Sequence, residues 1–185
     1  MEFSIPWENL TVSDVQYGLA QTNTRIENGL FVPIFYANKE IRCQALHILT
    51  PLLPLSDRID ANSNGTYMTL RVTKELEFYS KLLQLETQNL RHATLNRQTW
   101  STQQRPLTYK SAITQLQNGD LDWRIQIPDA GIFSCFDTHR KSWFASNESG
   151  LSKPRSWRIL VRTSGLWIDQ TSFGMEWKLI GAFVD

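Results

Sequence analysis

Cysteine, histidine and long apolar runs are all scarce in this chain, and each scarcity removes a class of protein. Its 185 residues hold only Cys43 and Cys135, too few for a disulfide framework or a four-cysteine zinc site. Burial as small apolar side chains is the expected fate of both. Histidine is limited to His47, His92 and His139. The pair Asp137 and His139 brings ligand-type side chains together without the third partner that a metal site or an oriented acid–base pair requires, so the segment reads as an exposed loop. Glycine occurs nine times, yet never as GxGxxG or GxxxxGK[ST], so nothing here cradles a nucleotide phosphate. No nucleophile stands at catalytic spacing from a base. The chain is therefore expected to be no enzyme and to need neither metal nor cofactor.

No apolar stretch approaches the roughly 18 to 20 residues of a membrane helix. Residues 1–10 are acidic and carry Pro6, unlike a secretory leader, so an intracellular protein without a membrane partner is expected. Without a leader, the Asn-x-Ser/Thr triplets at Asn9, Asn64 and Asn147 read as chance.

What is present is a globular composition, 41% hydrophobic and 20% charged, at a length suited to one core. A single domain over residues 1–185 is expected, with residues 1–29 as an N-terminal strand extension and 30–185 as the core. The formal net charge of +1 conceals a local imbalance. Between Arg140 and Arg162 lie six basic residues (Arg140, Lys141, Lys153, Arg155, Arg158, Arg162) against one acid, Glu148, a candidate phosphate-binding stripe.

Short β-branched and aromatic runs bounded by turn residues predict strands. Residues 30–36 and 41–49 read as a hairpin, Pro51 and Pro54 close it, and residues 57–65 read as an exposed loop. Over 67–73, Met68, Leu70 and Val72 face one way and Tyr67, Thr69, Arg71 and Thr73 the other. Residues 74–96 lack Gly and Pro and carry Leu76, Tyr79, Leu83 and Leu90 at helical spacing, which predicts one long helix with Thr73 as a candidate N-cap. A polar linker over 98–106 follows, then strands at 121–127, 131–136, 157–163, 166–168 and 173–184. The fold expected is mainly β, α+β by content: an antiparallel OB-like barrel with one long helix set against it.

Binding of a single strand needs cations for phosphates and exposed aromatic faces for bases. The second half interleaves them: Trp123 with Arg124, Arg140 and Lys141 with Trp143 and Phe144, Arg155 and Arg158 around Trp157, Trp177 with Lys178. Strand parity turns Trp123, Trp157 and Trp177 inward and Arg124, Arg158, Arg162 and Lys178 outward. Trp143 and Phe144 sit in a polar segment, which leaves them either as stacking residues or in a loop folded back on the barrel. The expected nucleic-acid contacts are Arg71, Arg124, Arg140, Lys141, Trp143, Phe144, Arg155, Arg158, Arg162 and Lys178.

Over residues 164–179, Gly165 and Trp167 lead through Phe173 and Gly174 to Trp177 and Lys178. This run resembles the closing motif of the single-stranded DNA-binding proteins of large double-stranded DNA viruses, and residues 67–85 are similar to the middle of those proteins. The resemblance implies an OB-type barrel that coats exposed DNA in viral replication, with replication proteins as further partners, at a cytoplasmic or nuclear site in the host. It matches Trp167, Gly174, Trp177 and Lys178 to the motif. Gly165 and Gly174 would permit close backbone approach while Trp167 and Trp177 fill the space between. The alternative from composition is a structural or protein-interaction β-sandwich in a viral assembly. DNA or RNA as the ligand, the length of strand covered and the oligomeric state stay open.

Overall fold

The computed structural model describes residues 4–56, 60–62, 65–100, 106–128, 134–137, 142–143 and 156–184, with backbone alone for 62, 134–137, 142–143 and 184. The principal elements are β1 (Val15–Tyr17), β2 (Gly29–Ala37), β3 (Leu46–Leu49), β4 (Gly65–Val72), α1 (Glu77–Leu95), β5 (Thr108–Lys110), β6 (Leu121–Ile127), β7 (Ser156–Thr163), β8 (Gly165–Ile168), β9 (Ser172–Met175) and β10 (Lys178–Val184). Strands dominate and one long helix packs against them, as the alternation and the helical spacing predict.

Two sheets share the core. The first runs Ile5–Pro6, β3, β7, β10, β6, β4, Asp60–Asn62, and the second runs β5, β9, β8, β2, β1. The chain steps between them at tight joints: β7 passes to β8 through Ser164 alone, whose carbonyl accepts the Ile34 N–H at 2.8 Å. Among the described residues the pairings do not close into a barrel. Nor are they all antiparallel: Ile5–Pro6 pairs parallel with β3, β5 with β9, β6 with β10, and Ser134–Asp137 with β10. A parallel partner returns only after a long excursion, here the whole of β7 to β9 between β6 and β10, and no local pattern records such a return.

Burial follows strand parity closely. Met68, Leu70 and Val72 of β4, Leu121, Trp123 and Ile125 of β6, and Trp157, Ile159 and Val161 of β7 are all buried. Trp123 and Trp177 meet edge to face at 5.3 Å, and Phe78 of α1 lies 5.6 Å from Trp123. The helix therefore sits on the inward side of β6. Before β2, Ile5, Leu10, Val12 and Val15 also enter this core.

Several expectations need correction. The buried stripe of α1 is Phe78, Leu82, Leu85, Glu86 and Asn89, whereas Leu83 and Leu90 of the expected stripe are exposed. Leucine spacing marks an apolar row, but the sheet selects the row that carries the larger Phe78. Thr73 is no cap: Leu76 is the N-cap residue, without a side-chain hydrogen bond, because residues 73–76 form a turn in which the Lys74 N–H reaches Asp120 Oδ1. The hairpin after β2 is short, Arg42–Cys43, and β3 leaves for the other sheet. Cys43 is half-buried. Asp60–Asn62 of the expected loop pairs with β4. The linker contains the short helix Arg97–Trp100 with Trp100 buried, and the last expected strand is divided into β9 and β10.

Candidate nucleic-acid interface

The outward face of the first sheet collects the cations that parity turns away from the core. Registers fix one rung across it: His47 of β3 stands opposite Arg162 of β7, Arg162 opposite Lys178 of β10, Lys178 beside Gln126 of β6, Gln126 opposite Tyr67 of β4, and Tyr67 opposite Asp60. Directly opposed residues share a face, so Arg162, Lys178, Gln126 and Tyr67 line up across four adjacent strands about 4.8 Å apart. His47 at the end of the rung is buried, Arg162 is half-buried with its Nε out of solvent, and Lys178, Gln126 and Tyr67 are half-buried. Along the same faces Arg158 lies four positions before Arg162, and Arg124 two before Gln126. Arg158 and Arg124 are exposed, and Phe183, opposite Arg158, is 47% exposed. A bulge at β10 opposite Leu160 and Val161 adds twist there without changing the parity of β7.

The charges on this face differ in their engagement. The Arg71 Nε donates to Asp122 Oδ1 at 2.7 Å, Arg71 also donates to the Ser56 hydroxyl, and Ser56 donates to the same carboxylate oxygen at 2.6 Å. Arg71 is thus neutralised within the sheet. The Lys178 ammonium lies 3.3 Å from Glu176 with both side chains 40% exposed, a surface contact of small net worth. Arg124 places its guanidinium carbon 3.7 Å from the centroid of the Tyr67 ring. Among the described residues neither Arg124 nor Arg158 makes an ion pair.

Five of the ten expected contacts, Arg71, Arg124, Arg158, Arg162 and Lys178, therefore share one face of one sheet. Arg140, Lys141, Phe144 and Arg155 lie outside the described residues, as does His139, and of Trp143 only the backbone is described, opposite Cys135. Tyr67 was missed as an aromatic contact. Its signal was present in the alternation that turns Arg71 outward, since Tyr67 has the same parity.

A second polar cluster, with Glu86 and Asn89 buried at its centre, lies between α1 and the second sheet. The Tyr17 hydroxyl donates to Asn89 Oδ1 at 2.7 Å, Asn89 Nδ2 donates to the Tyr109 oxygen at 3.1 Å, and the Ser111 hydroxyl donates to Glu86 Oε2 at 2.5 Å. Burial pushes the Glu86 carboxyl up, against hydrogen bonds from Ser111 and Tyr109 that lower it. Burial, with the Glu86 charge behind it, raises both Tyr17 and Tyr109. These groups hold the helix to β1 and β5. No three His, Cys, Asp or Glu side chains converge on a metal-sized site among the described residues, and no described helix is long and apolar enough to cross a membrane.

No protein-family model and no curated protein matches the chain. The resemblance to the proteins of large DNA viruses rests on residues 67–85 and 164–179 of the sequence. A solved structure, the single-stranded DNA-binding protein from bacteriophage Enc34, is similar over 91% of this chain and 89% of its own, at 9% identity and a TM-score of 0.48.

Proposed function

We propose that this chain binds single-stranded DNA with little sequence preference, along the outward face of the first sheet. The observation that carries the reading is the rung of Arg162, Lys178, Gln126 and Tyr67, with Arg124 and Arg158 on the same face. Arg158, Arg162 and Lys178, on strands adjacent in the sheet, give a polyanion a track, with Arg124 and the exposed Phe183 beside it. Arg140, Lys141, Trp143, Phe144 and Arg155 fall in the chain between Asp137 and Ser156, whose flanking strands both adjoin β10. They are proposed as further contacts of the same DNA strand. Arg71, held by Asp122, contributes little phosphate affinity.

In this reading the protein covers exposed DNA during viral replication inside the host cell, alongside replication proteins, and performs no turnover. Fluorescence anisotropy with labelled oligo(dT) tests it. Submicromolar binding at low salt is expected, weakening steeply as salt rises because bound phosphates release counterions, with weaker binding to a duplex of equal length. Micromolar or weaker binding at low salt, accompanied by stable self-assembly in sedimentation without nucleic acid, would favour the structural-module alternative. Equal affinity for oligo(U) would assign the same face to RNA as well.

A further inference from the structure

We propose that Arg124 is a base-stacking residue and not a phosphate contact: its guanidinium, laid on the Tyr67 ring, forms a platform on which one nucleobase of the strand stacks. This rests on the single-strand reading and specifies what one position of that face does.

Arg124 stands directly opposite Thr69, and Tyr67 is its diagonal neighbour across β6 and β4. Such diagonals span about 7 to 8 Å, within reach of a long side chain, and Arg124 spans this one to bring its guanidinium within 3.7 Å of the ring centroid. Among the described residues no carboxylate pairs with it. Asp122, two residues back on the same face, is already engaged by Arg71 and Ser56. Gly65, whose φ is +128°, lies beside the phenol ring: a Cβ added there would stand 3.7 Å from Tyr67 Cε2 and 3.1 Å from Gln126 Nε2. One side of the guanidinium is thus covered by an aromatic ring, while Arg124 as a whole remains exposed.

A flat cation backed by a ring presents a plane to solvent, and guanidinium planes stack on bases much as aromatic rings do. A base placed there would complete a three-layer stack of base, guanidinium and phenol. Lys178 borders Gln126 on the next strand, and Arg162 follows one strand beyond. The phosphates flanking the stacked base therefore meet ammonium and guanidinium groups within about one or two strand spacings of roughly 4.8 Å.

Two substitutions and two ligands separate a stacking role from a charge role. Arg124→Lys keeps the charge and loses the plane; Arg124→Ala loses both. Binding is measured to oligo(dT) and to an abasic oligonucleotide of the same length, each over a range of salt. The expected result is that Arg124→Lys weakens oligo(dT) binding about tenfold or more, that the loss disappears on the abasic strand, and that Arg124→Ala leaves the salt slope of the unsubstituted protein unchanged. Full affinity in Arg124→Lys, or a slope reduced by about 0.7 in Arg124→Ala, would overturn the proposal and make Arg124 a phosphate contact, with the single-strand reading intact. Failure of the unsubstituted protein to bind either strand would overturn both.

Discussion

Trp167 and Gly174 are cross-strand partners on β8 and β9, and the indole lies on bare backbone: a Cβ at Gly174 would stand 2.8 Å from Trp167 Cζ2 and 2.6 Å from the Lys110 carbonyl oxygen. The glycine is required from both sides, by the ring above it and by β5 beside it. Gly174→Ala must therefore displace either the half-buried indole or a strand. A loss of about 1 to 3 kcal/mol is expected, read as a lower urea midpoint at unchanged slope. A change within about 0.5 kcal/mol would show that the joint between these strands yields more easily than its geometry implies.

The buried Glu86 carboxyl gives the fold a pH dependence of definite sign. Its pKa is held above the ordinary value by burial, so the fold favours the protonated form. That contribution is fully present below the unfolded pKa and is lost as pH rises through the folded one. Glu86→Gln retains an acceptor for Ser111 without the charge. It is expected to gain stability relative to the parent protein as pH rises from about 4, the ordinary carboxylate range, towards 8. Urea unfolding of both proteins across that range checks this, and parallel stability profiles would contradict it.

The difference between what was legible in the sequence and what was not follows from the range of each signal. Alternation in β4, β6 and β7 is local, so the inward set of Trp123 and Trp157 and the outward set of Arg124, Arg158 and Arg162 follow from parity alone. The rung that joins Arg162 to Lys178 and Tyr67 depends on register between strands far apart in sequence, and composition carries no trace of it. In α1 the Leu spacing marks a real apolar row, but two rows compete. The buried one includes Glu86 and Asn89, polar residues that a hydrophobic pattern ignores and that only partners such as Tyr17 and Ser111 make tolerable. Arg71 was legible as outward-facing, yet its neutralisation by Asp122 depends on pairing across β4 and β6.

Glu176 competes with any phosphate for the Lys178 ammonium, 3.3 Å away on the open face. Removing that competitor with Glu176→Gln is expected to tighten oligo(dT) binding at low salt by roughly two- to fivefold, in keeping with the worth of a surface ion pair. The gain should shrink as salt screens the contact. Unchanged or weaker binding at low salt, measured by anisotropy, would remove Lys178 from the track.

The central claim is that the cations on the outward face of the first sheet, and not those elsewhere, hold the DNA phosphates. The dependence of log affinity for oligo(dT) on log salt, compared between the unsubstituted protein, Arg158→Ala, Lys178→Ala and Arg91→Ala, tests it most directly. Arg91 is an exposed cation on α1, which packs on the opposite, inward side of the sheet. Arg158→Ala and Lys178→Ala should each lower the slope by about 0.7 while Arg91→Ala leaves it unchanged. Equal slopes for all four proteins, or a loss in Arg91→Ala alone, would contradict the account.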